Sequence, residues 1–193
     1  MNIDWIKPEL QKSDILLNKT RTAKGPEFLP TRLIDVGGEE DLDAKLVNST
    51  ALARNGLDPT SYVTLSYCWV SDEDAKRQLK TLKNTLNSYD MSIPLDSVSP
   101  VVRDTVRVCR VLLVKYVWID ALCIIQDDKN DWDSESQTMG QIYHHAYFTL
   151  CPTASRTCHQ SFLNLRDLGP KFPFSSRIKS GIKGNFRILR KSQ

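Results

Sequence analysis

Tyr116-Val-Trp-Ile-Asp120, continuing as Ala121-Leu-Cys-Ile-Ile-Gln-Asp-Asp128, is the stretch on which the fold turns. Four consecutive apolar residues end on a carboxylate. A strand apolar on both faces belongs to a parallel sheet covered by helices. Upstream, Tyr62-Val-Thr-Leu-Ser-Tyr-Cys-Trp69 is rich in β-branched and aromatic residues and predicts another strand. Downstream, Tyr147-Phe-Thr-Leu-Cys151 predicts a third.

Helical patterns fill the gaps between these strands. Leu79, Leu82, Leu86 and Tyr89 recur at three and four residues and predict one helix over 72–89. Ser99 suits an N-cap and Pro100 the first helical position. The helix that follows places Val102, Val106, Cys109 and Leu113 on one face and turns Arg103, Arg107 and Arg110 to water. A third helix is expected from about Asp131 to Ala146. Strands alternating with helices imply an α/β architecture with right-handed crossovers.

Further out, residues 1–29 are polar and punctuated by Pro8, Gly25 and Pro26, which reads as an extended leader. Arg32–Val36 is a short strand candidate ended by Gly37-Gly38, and Lys45–Asn48 is expected to return as the second arm of an N-terminal β-hairpin. Residues 164–193 read as a basic, flexible tail or the start of a longer continuation, since 156–193 hold nine basic residues and one acid. A basic tail of this kind solubilises, and no nucleic-acid role is assigned to it.

Composition narrows the class. The 193 residues are 40% hydrophobic and 25% charged with a net charge of +3, ordinary globular usage that excludes collagen-like fibre and wholesale disorder. No apolar run approaches the length of a membrane span. The start, MNIDWIKPELQK, lacks the apolar core of a secretory signal. Five cysteines, three of them (Cys68, Cys109, Cys123) in apolar segments, suit buried free thiols in a reducing compartment. The expectation is a cytoplasmic protein.

Ligands collect at the carboxyl ends of strands in an open parallel sheet. Two such ends are unusually polar: Ser66, Tyr67, Cys68 and Trp69 after the first strand, and Asp120 after the second. Neighbouring strands would bring Ser66, Trp69 and Asp120 to one rim. Asp120 is read either as functional or as a helix-capping, loop-ordering acid. Glu135 is the sharper anomaly, because Trp132, Met139 and Ile142 share its helical stripe. A charge buried there costs several kcal/mol unless paired; the alternatives are rim exposure or a salt bridge to Arg103, Arg107 or Arg110. Two carboxylates converging on an aromatic-lined rim would suit glycosidic chemistry through an oxocarbenium-like state.

Other constellations are weak. His144, His145, Cys151, Cys158 and His159 lack the close ligand pairs of zinc sites, so no metal is expected. Cys123 has no basic sequence neighbour to activate it and reads as core.

The same residues carry a family resemblance. Tyr62–Trp69, Tyr116–Asp128, Asp131-Trp132, Glu135, Met139, Ile142-Tyr143 and Ala146, with Arg103-Asp104 and Pro30–Val36, resemble the heterokaryon incompatibility (HET) domain of filamentous fungi over residues 30–163. Val70 stands where that family usually has Gly, and Ala121 where Ser is commoner. The family is in turn remotely similar to Toll/interleukin-1 receptor (TIR) domains. The resemblance implies a flavodoxin/TIR-like parallel sheet flanked by helices and an effector of cell death triggered by non-self recognition. It implies self-association, a sensor protein partner, and cleavage of NAD⁺, as substrate rather than cofactor, at the nicotinamide–ribose bond. Carried onto this sequence, Glu135 and Asp120 would be catalytic, and Ser66, Cys68, Trp69 and Trp132 would bind substrate. The alternatives are a non-enzymatic death-signalling module and a degenerate copy silenced at Val70.

Overall fold

The computed structural model describes residues 28–56, 61–69, 71–153 and 155–163, together with the backbone of two strands at 171–175 and 183–187. The expected leader falls almost wholly, and Val70 entirely, outside the described residues. The chain divides into a larger unit ending at Phe162 and a smaller one from Leu163 onward.

The larger unit is built on a six-stranded sheet: β1 (Arg32–Asp35), β2 (Asp43–Asn48), β3 (Tyr62–Leu65), β4 (Ile93–Pro94), β5 (Tyr116–Trp118) and β6 (Thr149–Leu150), in the order β4-β2-β1-β5-β3-β6. Among the described residues its helices are α1 (Ser49–Arg54), α2 (Asp72–Arg77), α3 (Leu86–Tyr89), α4 (Pro100–Val111), α5 (Asp120–Cys123) and α6 (Lys129–His145). The smaller unit contains β7 (Lys171–Ser175) paired antiparallel with β8 (Lys183–Arg187), inside the stretch read as a basic tail.

The strand at 116–118 is buried throughout, as its apolar run requires, and forms the centre of the sheet. β3 lies parallel to both β5 and β6. The expected parallel pairing ends there, and the expected hairpin arms, Arg32–Val36 and Lys45–Asn48, join the same sheet instead of standing apart from it. β1 runs antiparallel to β5, β2 antiparallel to β1, and β4 antiparallel to β2, so the sheet is mixed. For β1 and β2 the physical reason is the route of the chain. β1 and β2 are joined by a short turn through Gly37, which adopts φ +69°, and a short connection joins only antiparallel neighbours.

The turn is clamped from α4. Arg110 donates from Nε to the Val36 carbonyl (2.7 Å), from Nη1 to Asp41 O (2.7 Å) and from Nη2 to Asp43 O (3.1 Å). Arg110 therefore ties a loop instead of facing water, and Arg103 likewise donates to the Leu95 and Asp96 carbonyls. Val102, Val106 and Cys109 are buried as expected, but α4 stops at Val111 and Leu113, at φ +59°, is 89% exposed.

The single helix expected over 72–89 is two short ones, with an extended stretch between them. The break follows from what α5 needs. Its last carbonyls have no helical partner, and the buried Thr81 supplies one: its N–H donates to Ala121 O (3.0 Å) and its hydroxyl to Leu122 O (2.6 Å), while Gln126 N–H donates to Thr81 O (2.9 Å). These bonds hold 78–82 extended against α5. Cys68, expected to be buried, is exposed, whereas Cys109, Cys123 and Cys158 are buried.

Candidate functional site

The parallel pairing of β3 and β5 decides where the polar strand ends meet. Thr64 is in register with Trp118, so two residues on, Ser66 and Asp120 leave the sheet side by side. Leu65 pairs with Leu150, which brings Cys151 to the same end. The antiparallel β1 reaches that end with its start: Ile34 pairs with Val117, so Arg32 stands beside Ile119.

Asp120 is the first residue of α5, whose N-cap is Ile119 without a side-chain cap bond, and its Oδ1 accepts only the adjacent Ala121 N–H at 2.7 Å. More surrounds it. The Tyr67 hydroxyl and the Trp69 indole N–H point toward the carboxyl and favour its charged form. Burial opposes and outweighs them, pushing the Asp120 pKa up to about 6. In the same cluster the Tyr67 phenol is pushed far up by burial and by the Asp120 charge. Tyr143, which donates to the Leu65 carbonyl at 3.2 Å, is pushed up to about 12 by burial first and Asp120 next. Ser66 is exposed on the outer side and its hydroxyl reaches Tyr143.

Four buried polar atoms here, Tyr67 Oη, Trp69 Nε1 and both amide atoms of Gln78, lack a well-formed hydrogen bond and interact only loosely with one another and with Asp120. Native interiors leave few such atoms, and each costs about 1–3 kcal/mol. Four in one cluster mark this corner as unlike ordinary core. One side of the Trp69 ring carries Lys80, whose Nζ lies 4.9 Å from the ring centroid.

Glu135 sits in different company. It is only 3% exposed, as the apolar stripe required, but its partner is none of the three arginines expected. Arg32 of β1 places Nη2 at 3.7 Å from Glu135 Oε1, while donating from Nη2 to both oxygens of Asp131 (2.6 and 2.5 Å) and from Nε to the Cys123 carbonyl (2.7 Å). Burial raises the Glu135 pKa, and the Thr31 hydroxyl and Arg32 hold that rise back. The buried Cys123, pushed up to about 12 by burial, senses both carboxylates and is an inert core thiol.

The structure therefore gathers Ser66, Trp69 and Asp120 into one cluster and gives Glu135 its own ionic nest. Trp132 leaves its stripe to stand 50% exposed, and Cys68 is exposed beside the cluster, within electrostatic reach of Cys158. Gln78 and Tyr143 were not among the expected site residues. Gln78 gave no signal, since it lay inside a false helical period. Tyr143 follows the buried Ile142 on α6, a position at which a phenol can reach β3. An open hollow of about 760 Å³, lined by Asp35, Glu40, Asp41, Asp43, Lys45 and Lys115 among others, lies at the opposite end of β5 and holds none of the expected residues. Among the described residues no three His, Cys, Asp or Glu side chains converge as metal ligands, and no helix is long and apolar enough to cross a membrane.

The family model of the heterokaryon incompatibility protein (HET) matches residues 62–188. This chain belongs to the HET family. The match takes in β3, β5, α6 and the Asp120 cluster, and it runs on through β7 and β8, past the residues 30–163 that carry the resemblance. No curated protein and no solved structure matches the chain. Membership in the HET family points to a role in fungal heterokaryon incompatibility.

Proposed function

We propose that this HET-family chain is a cytoplasmic effector of incompatibility-triggered cell death, and that it cleaves NAD⁺ at the nicotinamide–ribose bond when copies self-associate in answer to a sensor partner. One observation carries the enzymatic part: a carboxyl group at a strand end, largely buried with its pKa pushed up to about 6, and faced by the Tyr67 hydroxyl and the Trp69 indole N–H. Groups poised near operating pH serve both as carboxylate and as acid. In the reaction the C1′–N bond breaks with its electron pair going to the pyridinium nitrogen, and neutral nicotinamide leaves. The ribosyl cation that remains is stabilised by a nearby carboxylate; water adds to C1′ and releases one proton.

Asp120 is the carboxylate best placed for that task, with Trp69 as the flanking aromatic surface and Ser66 at the open side. Glu135 becomes a positioning residue in this reading. Through Arg32 it holds the Cys123 carbonyl, and so the α5 turn that begins at Asp120. The ion pairing of Glu135 also favours a second reading, a death-signalling module without catalysis, because a carboxylate neutralised by Arg32 is spent on structure.

NAD⁺ consumption by the purified chain, free and clustered through a fused oligomerising tag, tests the proposal. Turnover that needs clustering, is lost in Asp120→Asn and survives with an unchanged pH profile in Glu135→Gln supports it. Turnover lost in Glu135→Gln at full folded content returns the catalytic role to Glu135. Absence of turnover in the clustered chain, both as it stands and with Val70→Gly, leaves the signalling module.

A further inference from the structure

We propose that the outer edge of β6 pairs with the same edge of a second copy, antiparallel about a two-fold axis. The inference rests on the self-association in the reading above and names its surface. The six-stranded sheet ends in β4 on one side and β6 on the other, and the chain treats the two edges differently. At β4, Pro94 has no N–H, and its carbonyl accepts the Ser97 N–H at 3.0 Å. Arg103 donates to the neighbouring Leu95 carbonyl at 2.8 Å and to the Asp96 carbonyl at 3.1 Å. A proline and occupied carbonyls close an edge against further strands.

β6 has no such guard. The Thr64 N–H donates to the Phe148 carbonyl (3.1 Å) and the Ser66 N–H to the Leu150 carbonyl (2.9 Å), so both carbonyls face β3. In a parallel ladder alternate residues turn their backbone groups to the same neighbour. Thr149, between them, therefore turns its N–H and carbonyl outward, and neither has a hydrogen-bond partner among the described residues. Thr149 and Cys151 are exposed, in a sheet whose strands β3 and β5 are buried throughout. No residue from 146 to 155 is charged, and Tyr147-Phe-Thr-Leu150 is strand-forming in composition. An open, uncharged edge of this kind is a template for another strand.

The same edge on a second copy is the strand that fits. Turned antiparallel about a two-fold axis, Thr149 meets Thr149, and the two residues exchange both N–H···O bonds. A strand carrying Lys or Glu would leave its charge unmatched here, which favours the neutral edge that the chain itself supplies. The same axis sets Cys151 of one copy across from Tyr147 of the other. Ser66, next to Cys151 in the ladder, then has the second copy beside its exposed side, which ties pairing to the Asp120 end of the sheet.

Sedimentation velocity of the full chain over a concentration series reaching about 100 μM reads the pairing, and a reversible dimer is expected within it. Thr149→Val keeps the backbone edge and is expected to keep the dimer. Thr149→Lys and Thr149→Glu each set like charges against one another across the axis and are expected to weaken it about fivefold. An equimolar mixture of the two sets Lys against Glu and is expected to restore it. All three variants lose the Thr64–Thr149 hydroxyl bond (2.8 Å), so a defect of folding is not cured by mixing. A chain monomeric throughout the series, growth past two copies, a dimer indifferent to both charges, a dimer lost in Thr149→Val, or a mixture that stays apart overturns the inference. Dimerisation through Thr149 without NAD⁺ cleavage keeps the edge pairing and defeats the enzymatic reading. NAD⁺ cleavage by tag-clustered chains that never pair on their own does the reverse.

Discussion

Replacing Arg32 by Met removes one guanidinium that serves three acceptors at once. It holds both oxygens of Asp131, lies 3.7 Å from Glu135 Oε1 and donates at 2.7 Å to the Cys123 carbonyl. Arg32 is only 12% exposed and Glu135 3%, so water cannot take its place. Breaking a buried pair from one side strands the other charge and costs about 3–5 kcal/mol, or roughly 10 °C in midpoint for a domain of this size.

The pH dependence has a definite sign. The folded pKa of Glu135 already lies above its ordinary 4.5, and loss of Arg32 raises it further. A carboxyl raised on folding binds its proton more tightly in the folded state, so stability falls as pH rises from the unfolded value through the folded one. The deficit of Arg32→Met is therefore full at pH 7 and shrinks toward pH 4.5. Adding Glu135→Met removes the stranded charge and is expected to recover most of the loss, since Asp131 keeps the Ile125 N–H at 2.7 Å. Urea denaturation of the two variants at pH 5 and 7 decides the matter. A single-variant loss below about 1 kcal/mol, or a double variant no more stable than the single, would refute the reasoning.

Two further outcomes follow from the same structure. Asp120→Asn keeps the acceptor for the Ala121 N–H but removes a charge whose pKa stands near 6 instead of 3.8, so it is expected to stabilise the fold at pH 7.5 by up to about 3 kcal/mol, a gain that fades toward pH 4 and is read from melting curves across that range. Thr81→Val leaves Leu122 O without its 2.6 Å donor while preserving shape, and is expected to cost about 1–2 kcal/mol in chemical denaturation, with earlier amide exchange in α5 than in β5.

Local pattern was legible where one element decides its own burial. The apolar run at 116–119 is the sheet centre, and Ser99-Pro100 begins α4, because a strand's side chains and a proline's missing N–H constrain their own residues. The carboxyl ends of β3 and β5 carry Ser66 and Asp120 together for the same reason: parallel neighbours place equivalent ends at one rim. The anomaly of Glu135 was visible too, since a stripe at helical spacing predicts burial whatever covers it.

The partners were not legible. Glu135 is paired by a residue 103 positions upstream, in a strand whose antiparallel placement beside β5 no local pattern encodes. The period through Leu79, Leu82 and Leu86 promised one helix, but the unfilled carbonyls of α5 held Thr81 extended and put Gln78 in the cluster. Sequence by itself thus determined which segments are apolar, where the strand ends are polar, and which family the chain joins, all properties of short stretches read in order. Tertiary structure alone decided the antiparallel placement of β1 beside β5, the Arg32–Glu135 pairing and the company of Asp120. Hydrogen-bond satisfaction and charge pairing are settled between segments far apart in the chain, and only packing brings those segments together.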